Sequence, residues 1–199
     1  MTGGYTRAAD LARRARLYSA DSISAVSFFT FGMLIGAYFL VLTPFPQIFS
    51  TYWPLLIAGL AAFTIASVII INRFTPHGYG REDGGKWALS FSLPFLLYLI
   101  PCLFPRYSTL FTIMWYPSLG LSSLMIHLLI EREKIRRGIM RTRPFLLASL
   151  MIILTSPLVL CMSLYGQVDA ALFATGLMLL IYYIAGAHSL YAALEESGN

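Results

Sequence analysis

Charge is scarce in this sequence. Asp, Glu, Lys and Arg make up 12% of its 199 residues, where a soluble domain carries about a quarter. With 58% hydrophobic residues and a mean hydropathy of +0.72, a water-facing shell around one core is excluded, and lipid must solvate much of the chain. Cysteine is nearly absent too. Cys102, Cys161 and three His cannot assemble a four-ligand structural zinc site without help from carboxylates. No Asp, Glu, Lys or Arg stands at the centre of any apolar run, which argues against an ion-coupled carrier. There is no P-loop, nucleophile elbow, HExxH, headgroup-transferase aspartate pair or histidine box. The sequence therefore nominates no catalytic residue, no metal site and no cofactor.

Long apolar runs are present instead. Six are evident: Ser22–Leu42, Tyr52–Ile71, Ala88–Phe104, Tyr107–Ile130, Phe145–Leu164 and Ala170–Leu194. Crossing the hydrocarbon layer takes about 20 residues. Five runs meet that, and Ala88–Phe104, which carries Pro94 and Pro101, is the shortest. Thirteen of the fourteen Lys and Arg residues lie before the first run, after the second and after the fourth, leaving Arg106 alone in the other gaps. Short Lys/Arg-rich loops stay cytoplasmic, so both termini are expected inside. The expected fold is all-α: a polytopic membrane protein with six transmembrane helices in three hairpins over residues 22–194. A basic amphipathic interfacial helix within residues 1–21 precedes it, with Leu11, Ala15 and Tyr18 opposite Arg7, Arg13, Arg14 and Arg16, and residues 195–199 form a cytoplasmic tail. No cleavable signal peptide is evident, so Ser22–Leu42 reads as an uncleaved signal anchor. Tyr52, Trp53, Trp87 and Tyr107 open spans where amphipathic rings prefer the interface.

The net charge of +5 and pI of 9.4 point to anionic headgroups at the cytoplasmic face rather than to nucleic acid, because the basic residues flank apolar runs. Within lipid, close backbone approach must supply helix packing. Gly32 and Gly36 form a GxxxG pair, and Ala58, Ala62 and Ala66 repeat every four residues; the two stripes are expected to face each other. Pro94, Pro101, Pro117 and Pro157 are expected to kink the third to fifth helices. The glycines of Ala58-Gly59-Leu60, Leu119-Gly120-Leu121 and Thr175-Gly176-Leu177 hint at a repeated hairpin.

Few side chains invite chemistry. His127 stands near the inner end of the fourth run, shortly before Glu131, and His188 stands in the sixth. Each offers a proton relay or anion site on the sharp reading, and a hydrogen-bonded interfacial His on the plainer one. Cys102 and Cys161 could bond if the third and fifth helices touch at the outer face. The inner loop Asn72–Trp87, with His77, Arg81, Glu82 and Asp83 among four glycines, could bind a phosphate headgroup or a partner, or be a solvated turn.

Arg13, Arg14 and Arg16, then Gly78-Tyr79-Gly80-Arg81, then Trp87-Ala88-Leu89-Ser90-Phe91 resemble a loose group of small, uncharacterised bacterial multi-pass membrane proteins. The resemblance runs from Arg7 to about Ile130 and implies location and fold class only. Glu82, Asp83 and a third hairpin are departures from it. The leading expectation is a non-catalytic accessory subunit of the plasma membrane that packs against a membrane-protein partner or homo-oligomerises. The alternative is a small permease with Ser92, Ser118, Ser122 or His127 along a cavity. A lipid-modifying enzyme using His77, Arg81, Glu82 and Asp83 is the third reading.

Overall fold

The computed structural model describes residues 3–42, 84–166 and 170–198, together with Tyr52, Leu55, Ala58, Gly59, Ala62, Ile65, Ala66 and Ile69. Helix α1 runs over Gly3–Leu42, α2 over Gly84–Ser92, α3 over Leu99–Leu103, α4 over Trp115–Ile126, α5 over Arg132–Arg136, α6 over Pro144–Leu164 and α7 over Ala170–Gly198. Tight 3-10 segments, Pro94–Tyr98 and Pro105–Thr112, flank α3, and a π-helical turn, His127–Glu131, joins α4 to α5. No strand occurs among the described residues. Four of the described helical segments are long and apolar enough to cross a membrane: Ala9–Tyr38, Gly85–Leu103, Pro144–Leu164 and Ala170–Glu195. A fifth span results if Arg106–Thr112 and Trp115–Arg136, bent by 64°, count as one. This is the make-up of a multi-pass membrane protein. Leu150, Leu154 and Leu158, one turn apart on α6, are all exposed, as side chains facing lipid would be.

The expected elements differ from the observed ones in two places. No interfacial helix separates from the first span, because α1 continues unbroken through Ser22. Forty residues of helix rise about 60 Å, so α1 is about twice as long as the hydrocarbon layer is thick. The third and fourth runs are not two plain helices either. Pro94, Pro101 and Pro105 each remove a backbone donor, and the chain answers with 3-10 turns and a break at Ile113–Met114. Pro117, by contrast, sits in the first turn of α4, where the missing N–H matters little. Helix α6 runs on through Pro157.

The core lies where α4, α6 and α7 meet α1. Phe28, Ile113, Tyr116, Ile152, Val159, Met178 and Ile181 are buried together there, and the Tyr116 hydroxyl meets Thr155 Oγ1 at 2.7 Å. Helix α1 packs along α7, which corrects the expected pairing of small-residue stripes. A Cβ on Gly32 would lie 2.8 Å from Tyr182 Cβ, and one on Gly36 would run into Leu179 Cδ2. The glycines thus receive side chains of α7. Ala58, Ala62 and Ala66 are helical and exposed. The three Gly-Leu likenesses also part company: a Cβ on Gly120 would crowd Ile152, while Gly59 and Gly176 have open space.

Candidate functional site

Polar groups gather at one end of the bundle, around the turn that leads into α6. Arg143 is the N-cap of that helix and makes no side-chain cap, and Pro144 follows at the first helical position. The first free N–H groups of α6 therefore need acceptors from elsewhere. Glu131 supplies them. Its Oε1 accepts from the Phe145 N–H at 3.1 Å and its Oε2 from the Leu146 N–H at 3.4 Å. Oε2 also meets His127 Nδ1. Glu131 is 2% exposed and His127 8%, so these donors answer the desolvation of a carboxylate that would otherwise be costly to bury. The π-helical turn is what brings both side chains inward: His127, Ile130 and Glu131 are all buried on it. Such turns are rare and often sit at functional places.

A second carboxylate holds the same turn from the other side. Asp21 of α1 is fully buried. Its Oδ1 accepts from the Thr142 hydroxyl at 2.6 Å and the Thr142 N–H at 3.3 Å. Thr142 Oγ1 in turn lies 3.3 Å from Ser189 Oγ of α7. The cluster ties α1, the turn and α7 together. Asp21 Oδ2 is buried without a hydrogen-bond partner. Replacing Asp21 by Ala is expected to cost about 1–3 kcal/mol, since Thr142 would lose its acceptor inside the protein. Denaturant unfolding in mild detergent measures it; an unchanged midpoint would show that the cluster holds nothing.

The turn itself is closed by Gly138, whose φ of 67° suits a residue without Cβ. The Ile139 N–H bonds the Lys134 carbonyl and the Gly138 N–H bonds the Ile135 carbonyl, a Schellman ending to α5. On the outer side, Glu133 pairs with Arg137 and with Lys86 Nζ, the latter at 2.6 Å. The Lys86 ammonium and the Arg137 guanidinium thus flank the Glu133 carboxylate. These charges are exposed, so the pairing contributes little to stability. It does place the start of α2 beside α5.

Of the residues singled out from sequence, His127 is buried against Glu131, as the plainer reading has it, and His188 is exposed on α7 where it lines a cleft with Arg141 and Arg143. His77, Arg81, Glu82 and Asp83 lie outside the described residues. Cys102 and Cys161 are free thiols, both exposed, so the bond is not made. Ser92 is exposed, while Ser118, Ser122 and His127 are buried. Sequence reasoning passed over Asp21 and named Glu131 only as a neighbour of His127. A signal for Glu131 existed: a helix opening Arg-Pro, with no Ser, Thr, Asp or Asn cap, calls for an acceptor from another segment. Chemically, a His–carboxylate pair can pass a proton, yet both Glu131 oxygens are engaged at the start of α6, so the pair acts as a clasp. No family model, curated protein or solved structure matches the chain.

Proposed function

We propose that this chain is a non-catalytic integral membrane protein serving as a partner-binding subunit of a membrane complex. In this reading it is a plasma-membrane protein with six spans in three hairpins and both termini in the cytoplasm. The observation that carries it is the outward face of Ala58, Ala62 and Ala66, which is helical, apolar and exposed, while the Gly32–Gly36 notch is already filled by α7. Small residues on a lipid-facing helix allow another backbone to come close, which is how helices associate where the hydrophobic effect does not act. The buried clasps support the same reading, because they make the polar end a fixed frame rather than a moving gate.

Site-directed crosslinking tests this. With Cys102 and Cys161 replaced by Ser, Ala62→Cys is expected to give a specific crosslinked band in membranes, to a second copy or to another protein. Ala62→Leu should abolish co-purification of that partner without lowering expression. A clean monomer with no crosslink, coupled with measurable solute uptake, would reject the proposal. That result would favour the permease reading, which draws on the 64° break between Arg106–Thr112 and Trp115–Arg136, since broken helices in membranes are found where they line a cavity or are buried in protein.

A further inference from the structure

Where α6 begins and α7 ends, the surface is indented by a cleft of about 430 Å³, lined by Arg141, Thr142, Arg143, His188, Tyr191 and Glu195. Ligand sites span roughly 300–1,000 Å³, so the space suits a small polar group. Its depth relative to a bilayer follows from the helices. Pro144 opens one candidate span and Glu195 closes another, so the cleft opens at the level of the headgroups. Glu131 already occupies the first-turn N–H groups of α6, and an anion here must be held by side chains. Two guanidinium groups against one carboxylate leave the lining positive. Arginine forks match phosphate oxygens two at a time, and an exposed Tyr such as Tyr191 is at home at this depth. Thr142 is fixed as the wall by its bonds to buried Asp21.

We propose that this cleft binds the phosphodiester headgroup of an anionic glycerophospholipid, with Arg143 and His188 on the phosphate oxygens. Glu195 at the rim and Asp21 behind Thr142 temper the charge, so a single negative phosphodiester is favoured over a polyphosphate. The bound lipid lies along α6 and α7, with its chains against exposed apolar side chains. This site is separate from the Ala58–Ala62–Ala66 face and does not depend on association there.

Native mass spectrometry of the full chain, purified in mild detergent and exchanged against defined lipids, tests the assignment. Phosphatidylglycerol should be retained in preference to phosphatidylcholine. Arg143→Ala combined with His188→Ala should lower its retention about tenfold, whereas Arg13→Ala, an exposed basic residue on α1, should leave it unchanged. Both replaced residues are exposed, so thermal unfolding should not move; the single Arg143→Gln change provides a milder check with the same expected direction. Equal retention of the two lipids, or full retention in the double variant, would overturn the site. Displacement of phosphatidylglycerol by millimolar inorganic phosphate would overturn the lipid assignment in favour of soluble phosphate.

Discussion

Replacing Glu131 by Ala should destabilise the protein by about 2–4 kcal/mol, the largest loss expected from any single polar change. Three donors lose their acceptor at once: His127 Nδ1 and the N–H groups of Phe145 and Leu146. All three sit at the end of the bundle where water does not readily replace a carboxylate that is 2% exposed. Glu131→Gln keeps the volume and one carbonyl oxygen, so it should recover about half of that loss. His127→Ala alone should cost less, because the two backbone donors stay paired. A double-mutant cycle between the two positions isolates their direct coupling. Reversible unfolding in mixed micelles gives these differences. If Glu131→Ala unfolds at the midpoint of the unchanged protein, α6 does not depend on this carboxylate for its start, and the clasp has no mechanical role.

The second large effect is steric. Gly32→Leu should lower stability by about 1–3 kcal/mol or more, the usual cost of overpacking. A Cβ there would already stand 2.8 Å from Tyr182 Cβ, and that atom cannot swing aside as a side-chain tip can. Helices α1 and α7 would have to part, which also pulls Asp21 from Thr142. Gly36 is tighter on paper, but its neighbour is the flexible end of Leu179, so Gly36→Ala should be milder than Gly32→Ala. The contrast that decides the packing arrangement is Ala62→Leu. Being exposed, it should change the folding midpoint by less than about 0.5 kcal/mol. Should Ala62→Leu prove as damaging as Gly32→Leu, the original pairing of the two stripes within one chain would be right after all.

The Gly32–Gly36 notch illustrates how far residue patterns reach. Their spacing marks a face for close approach, and α1 does use it. Which helix fills the notch is not written in the spacing, since any apolar helix with a suitable side chain would serve. Tyr182 and Leu179 of the last helix meet it, while the described alanines of the second run, Ala58, Ala62 and Ala66, stay exposed. Glu131 and Asp21 show the opposite limit. Each reads from its surroundings as an ordinary charge at the edge of an apolar run. Each becomes a buried acceptor only because the turn before α6 arrives beside it with donors to satisfy. The prolines fall between these cases: Pro94 and Pro101 are legible as obstacles to a straight helix, but not the 3-10 turns and the 64° bend that resulted.

Composition and periodicity were enough to establish an all-helical chain made for lipid, because the cost of exposing apolar surface to water and unbonded backbone to lipid depends on residue type and run length alone. Those costs act locally, so they can be summed along the chain without knowing its neighbours. Which helices touch, and which carboxylates are drawn inside, depends on donors and acceptors meeting across long stretches of sequence, as Asp21 meets Thr142. Such meetings are settled by shape and mutual satisfaction in three dimensions, and only the folded arrangement of α1, α6 and α7 reveals them.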